Sequence, residues 1–165
     1  MGTGKSSVGR VLAKMTGMFF QDLDSLIVAE TGRSINEIFS AEGEAYFRAL
    51  ETAELHKLVR SENLILSTGG GAVLAAENQE LIRNLGVVIN LMAPPEVIAQ
   101  RLRHANDRPL LNDGASRERI ERMLVEREPC YAMAHIRIDT TGKKIEDVAA
   151  VILKYLDSVE TAKRV

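Results

Sequence analysis

Residues 1–13 read MGTGKSSVGRVLA, and the fold turns on how this stretch is understood. Gly4, Lys5 and Ser6 supply the last three positions of the phosphate-loop pattern G-x-x-x-x-G-K-[ST], whose first glycine would stand upstream of Met1. In such a loop, backbone N–H groups and the positive end of the following helix hold phosphate oxygens, so side chains must be absent where the phosphates approach. Gly2, Thr3, Gly4, Lys5, Ser6 and Ser7 are therefore the candidate nucleotide contacts. Lys5 is placed to reach the β- and γ-phosphates as a mobile point charge, and the Ser6 hydroxyl is suited to Mg²⁺. A strand normally precedes this loop. None is present, so the expected sheet is one strand short and Met1 is expected to be an internal loop residue.

Composition sets the frame around this motif. With 165 residues, 45% of them apolar and 27% charged, the chain suits one soluble domain with one core. A net charge of -2 gives no general grip on nucleic acid. No stretch approaches the ~20 apolar residues of a membrane span, and Cys130 is the only cysteine. A cytoplasmic protein with no membrane or nucleic-acid partner is expected. His56, His104 and His135 show no metal-ligand spacing with one another or with Cys130.

Apolar periodicity alternates between helical and strand-like, the mark of an α/β fold. Helical patterns cover 6–16, 25–30, 45–60, 77–84, 96–105, 117–128 and 145–159, with Pro129 expected to end the sixth near Glu128. The runs MFFQD, NLILS, GVVINLM and HIRID have strand length and fit parallel strands buried on both faces.

Three further stretches carry chemistry. In FFQDLDSL, Asp22 and Asp24 leave the end of an apolar strand two residues apart, where both carboxylates could face one site. One could hold Mg²⁺ and the other orient or deprotonate a hydroxyl; an Asp helix cap with a solvated neighbour is the plainer alternative. In LILSTGGGAVL, Gly69, Gly70 and Gly71 follow a buried strand, where their use is close approach of a ligand to backbone amides. In AYFRALE, Arg48 and Glu51 share a helix face, a spacing whose commoner meaning is an exposed ion pair. Arg108, in the loop NDRPLL, is pushed to extended geometry by Pro109 and suits a lid.

In this order, MGTGKSS, DLD, EGEAYFR, STGGG, DRPLL and EREPCY, the sequence resembles the shikimate kinase family of small P-loop kinases. The resemblance implies a three-layer α/β/α fold around a parallel sheet ordered 2-3-1-4-5, with the central first strand absent here. It also implies a single domain over 1–165, with a lid around 106–118 and a substrate-binding helical region around 25–60. The activity implied is transfer of the γ-phosphoryl of ATP, with Mg²⁺, to the 3-hydroxyl of shikimate. A monomer is expected, since no long unmatched apolar stripe in the sequence demands a partner. Asp24 would bind shikimate hydroxyls and serve as base, and Ser6 and Asp22 would support Mg²⁺. Arg48 and Arg127 would clamp the carboxylate, Glu51 would hold Arg48, and the amides of Gly69, Gly70 and Gly71 would line the shikimate site. Arg108 would swing over the transferring phosphoryl, and Arg101 would lie by the adenine. A gluconate kinase-like phosphotransferase and a truncated, non-catalytic P-loop domain are the rival readings.

Overall fold

The computed structural model describes residues 2–102 and 117–163. Helix α1 (Lys5–Thr16) leads into strand β1 (Phe19–Asp22), helices α2 (Leu23–Thr31) and α3 (Ile35–Leu58), and strand β2 (Leu64–Ser67). A 3₁₀ turn (Ala72–Leu74), α4 (Ala76–Leu85), β3 (Ile89–Met92), α5 (Pro95–Leu102), α6 (Arg117–Tyr131), β4 (Ile136–Asp139) and α7 (Ile145–Lys163) complete the described chain.

The strands form two parallel pairs. β1 runs beside β2 with Phe19 opposite Leu64 and Asp22 opposite Ser67, and β3 beside β4 with Ile89 opposite Ile136 and Met92 opposite Asp139. The expected order 2-3-1-4-5, taken without strand 1, leaves these two pairs. Between β2 and β3 lies a largely apolar cleft of about 390 Å³, lined among others by Leu64, Leu66, Ile82, Val88 and Ile89. Burial on both faces, expected of every strand, is incomplete in the structure. Phe19 is 74% exposed, and most strand residues are only half-buried. Two-stranded pairs have an outer edge in β1 and β4, and β2 and β3 flank the cleft.

Successive residues of β2 show the layering. Ile65 packs into a core made by Val8 and Leu12 of α1, Leu91, Ile138, and Val148 and Ile152 of α7. Leu66 packs into the opposite core, made by Leu23 and Ile27 of α2, Ile38, Phe47 and Leu55 of α3, and Ile82 of α4. Alternation of side chains along a strand puts these cores on opposite faces, which is the three-layer α/β/α arrangement. Each large side chain so buried contributes roughly 1.5–3 kcal/mol. A smaller cluster, Ile98, Leu102 and Ile120, joins α5 to α6.

Two helix boundaries correct the sequence reading. α3 starts at Ile35 rather than near Ala45, because Ser34 and Glu37 form a reciprocal capping box: Ser34 Oγ accepts from Glu37 N and Glu37 Oε2 accepts from Ser34 N. Gly43, with φ 81° and ψ 178°, kinks the helix between that start and the stretch carrying Arg48. α6 continues through Pro129 to Tyr131. A proline in the last turn removes only one hydrogen bond there, to a carbonyl on the exposed Val125, and Ala132 N still donates to Glu128 O at 3.2 Å.

Candidate active site

The phosphate side begins at Gly4, which caps α1 in a left-handed conformation, φ 90° and ψ 16°. A Cβ there would meet nothing within 4 Å, so conformation and not space demands glycine. No side chain caps the helix, which leaves its first N–H groups and positive dipole end directed at the cleft. That cleft, about 410 Å³, is lined among others by Gly4, Lys5, Ser6, Asp22, Asp24 and Arg101. Gly2 and Ser7 also face it. Thr3 is buried beneath the loop, where its hydroxyl finds no protein partner among the described residues.

Ser6 Oγ donates to Asp22 Oδ2 at 2.6 Å and lies 3.2 Å from Ser67 Oγ. Asp22 is also the N-cap of α2, its Oδ1 accepting from Ser25 N at 3.4 Å. The cap reading and the site reading therefore both hold for this residue. Asp24 does not leave a strand beside it. Because the chain turns at Asp22, Asp24 sits in the first turn of α2, from which it still reaches the cleft. The hydroxyl and carboxylate oxygens of Ser6 and Asp22 are a hard donor set that fits Mg²⁺, an ion that keeps several waters and borrows phosphate oxygens. A larger cage is not needed, and no group of three or more His, Cys, Asp or Glu that could hold a metal occurs among the described residues.

Beside the cleft lies a cluster of buried and half-buried charges. Arg48 donates to Glu51 Oε2 at 2.6 Å, and Glu51 is fully buried. The exposed ion pair that the spacing suggested is thus an interior one, because α3 turns this face onto the turn after β2. Glu44, a residue given no role in the sequence reading, holds the other side of the guanidinium, accepting from Nη2 at 2.7 Å and from Nε at 3.2 Å. The four-residue spacing in EGEAYFR was the signal for it. A Cβ on Gly71 would overlap the Arg48 guanidinium, and one on Gly69 would stand 2.9 Å from Glu51 Oε1 and 3.1 Å from Asp24 Oδ1. These glycines are required because charged groups occupy the space a side chain would take.

Electrostatics match this crowding. Burial pushes the Glu51 carboxyl up; the Arg48 hydrogen bond and charge oppose it, the Asp24 charge adds to it, and Arg127 opposes it. Burial works against the Arg48 charge, but Glu51 and Glu44 outweigh it and hold the guanidinium above its ordinary value. Glu51 Oε1 has no hydrogen-bond partner among the described residues. Arg127, half-buried on α6, comes from far along the chain, yet its charge acts on both Glu51 and Tyr131. Arg101 donates to Gly2 O at 3.3 Å and to Thr140 Oγ1 and O, both at 3.0 Å, which ties α5 to the phosphate loop. Ser67 and Thr140, too, had no assigned role; Ser67 stood in the quoted LILSTGGG. Arg108 and positions 106–116 of the lid lie outside the described residues.

An uncapped, glycine-led helix N-terminus facing a hydroxyl–carboxylate pair, beside the carboxyl end of a parallel strand pair, defines a P-loop phosphotransferase. The family model described as shikimate kinase matches residues 1–157. The shikimate kinase of Geobacter metallireducens is 56% identical over 157 residues, covering 95% of this chain and 88% of that protein. That of Geobacter sulfurreducens is 47% identical over 156 residues, covering 94% and 86%. Among solved structures, shikimate kinase from Acinetobacter baumannii in complex with shikimate superposes with a TM-score of 0.92 at 39% identity, covering 96% of this chain and 89% of that one. The chain belongs to the shikimate kinase family, whose members are ATP-dependent phosphotransferases.

Proposed function

We propose that this chain transfers the γ-phosphoryl of ATP to the 3-hydroxyl of shikimate, giving shikimate 3-phosphate on the route to chorismate and the aromatic amino acids. The observation that carries the reading is the buried Arg48–Glu51 pair pressed against Gly71, with Asp24 and Arg127 beside it and the phosphate cleft adjoining. Planar guanidinium groups recognise a carboxylate through paired hydrogen bonds, so Arg48 and Arg127 hold the acid of the substrate. Glu51 and Glu44 fix the direction of Arg48. Asp24 orients the reacting hydroxyl and accepts its proton as the oxygen attacks the γ-phosphorus. The bond from that phosphorus to the β–γ bridging oxygen breaks, and ADP departs with the electron pair.

Lys5 and the α1 N–H groups stabilise charge on the phosphates, as does Arg108 when brought over them. Ser6 and Asp22 hold the Mg²⁺, which when bound offsets the charge of the triphosphate. Gly2, Thr3, Gly4 and Ser7 shape the nucleotide loop, Arg101 borders the adenine, and the amides of Gly69, Gly70 and Gly71 line the substrate. The functional unit is one domain over 1–165, with 106–118 as lid and 25–60 as substrate region, acting as a cytoplasmic monomer. The lone Cys130 suits a reducing compartment, and no described helix is long and apolar enough to cross a membrane.

A panel of hydroxy acids, shikimate and gluconate among them, incubated with γ-labelled ATP and Mg²⁺ tests this. Label is expected on shikimate alone; label on gluconate in preference, or on neither, contradicts it.

A further inference from the structure

Tyr131 is the last residue of α6 and stands four positions after Arg127, hence on the same helix face. Its hydroxyl donates to Gly70 O at 3.0 Å, in the middle of the triple-glycine turn. Its ring packs at the edge of the core built by α2, α3 and α4, with Cys130 beside it. Burial pushes the Tyr131 phenol up, and the Arg127 charge opposes that rise. Two segments that hold the acid side, α6 and the turn after β2, are thus joined by one side chain. The helix persists through Pro129 to deliver it.

The consequence follows from peptide geometry. A trans peptide points its C=O and the next N–H in opposite directions. Holding Gly70 C=O on the tyrosine therefore fixes the Gly71 N–H on the far side of the same plane. Gly71 is the residue whose Cα abuts the Arg48 guanidinium. Backbone bonds inside the turn, Ala72 N to Gly69 O at 3.2 Å and Leu74 N to Gly71 O at 3.0 Å, hold the planes that follow Gly69 and Gly71, and the Tyr131 hydroxyl holds the one between Gly70 and Gly71. Gln79 Nε2 donates to Val73 O and Asn78 Nδ2 to Ala72 O, both at 2.9 Å, and these brace the turn only after the glycines.

We propose that Tyr131 is a positioning residue for the carboxylic-acid substrate: its hydroxyl sets the peptide plane between Gly70 and Gly71 and, through the same helix face, the placement of Arg127 whose charge acts on Glu51. The inference rests on the functional reading above. It assigns Tyr131 no contact with ATP and no proton transfer.

The test is Tyr131→Phe, which keeps the ring and its packing and removes one hydroxyl. Loss of a neutral hydrogen bond corresponds to about 3–10-fold. Shikimate KM is expected to rise by that factor, while ATP KM stays within about twofold and the melting temperature is nearly unchanged. Without substrate, amide hydrogen exchange is expected to quicken by a similar factor in residues 68–74 and not in α1. Tyr131→Ala, which also loses the ring, should add a fall in melting temperature. Unchanged shikimate KM and unchanged exchange in Tyr131→Phe would overturn the inference while leaving the functional reading intact, as would an equal rise in both KM values. Absence of shikimate turnover by the wild-type chain would overturn the reading and this inference together.

Discussion

The phosphate cleft takes Gly2, Gly4, Lys5, Ser6 and Ser7 from one short segment, with Asp22, Asp24 and Arg101 around it, whereas the side proposed for the acid draws Arg48 and Glu51 from α3, Gly69 to Gly71 from the turn after β2, and Arg127 and Tyr131 from α6. The first side is half-exposed and works through backbone N–H groups and a helix dipole. The second is an interior charge cluster in which Glu51 is fully buried and two glycines give way to charged groups. On the proposed reading, phosphate recognition would need a loop conformation, and recognition of a small acid would need groups fixed in space by packing. Substitutions on the two sides should fail differently.

The largest effect is expected where the two sides meet. Asp24→Asn should lose about 10²–10⁴-fold in turnover, the scale of a positioned base, while ATP binding is kept. Pre-steady-state phosphoryl transfer together with an ATP titration checks it. Normal turnover removes Asp24 from the chemistry.

Arg48→Ala follows, with a cost in stability as well as binding. It leaves Glu51 buried with no hydrogen-bonded counter-charge and only the weaker effect of Arg127, a change of up to ~3–5 kcal/mol for an interior pair and a large part of the ~5–15 kcal/mol that holds a domain folded. The pH dependence has a definite sign. The Glu51 pKa is raised above its ordinary 4.5, so the folded state binds the proton more tightly and stability falls as pH rises from that value through the raised one. Without Arg48 the rise is greater. The stability deficit of Arg48→Ala should therefore grow with pH, and Arg48→Ala combined with Glu51→Gln should lose that growth. Denaturant melts at a series of pH values upward from the ordinary carboxylate value supply the comparison.

Glycines separate the sides at smaller scale. In Gly71→Ala the new methyl overlaps the Arg48 guanidinium, and strain of ~1–3 kcal/mol should appear as a raised shikimate KM with ATP KM unchanged. Gly4→Ala meets no atom and carries only the left-handed penalty of ~1–2 kcal/mol. Its effect should fall on ATP KM. Steady-state kinetics on the two variants distinguish a crowded glycine from a conformational one, and identical kinetic patterns would erase the distinction.

The same contrast explains what could be read in advance. The phosphate loop is contiguous, so Gly4, Lys5 and Ser6 announce it, and the strand pairs follow from runs such as NLILS and HIRID. The acid side is assembled by tertiary contact. Spacing brought out Arg48 and Glu51 but suggested exposure, since nothing local says that α3 turns this face inward. Arg127 entered through family resemblance, and Tyr131, though quoted within EREPCY, had no role until Gly70 was seen beneath its hydroxyl. The placement of Asp24 on a helix was missed because Asp22 is at once the last strand residue and a helix cap. The early start of α3 lay in Ser34 and Glu37, a capping signal hidden by the kink at Gly43.

The division of labour between the two sides is tested most directly by calorimetric titration of Arg127→Ala with shikimate and, separately, with ATP. Arg48 donates to the buried Glu51 carboxylate at 2.6 Å, whereas the Arg127 charge acts on that group less strongly, so removal of Arg127 disturbs the interior less. A charged hydrogen bond is worth about 1.5–3 kcal/mol, which predicts shikimate affinity weakened roughly 10–150-fold and ATP affinity held within about twofold. Equal weakening of both ligands, or unchanged shikimate affinity, would contradict the assignment of the buried charge cluster to the acid.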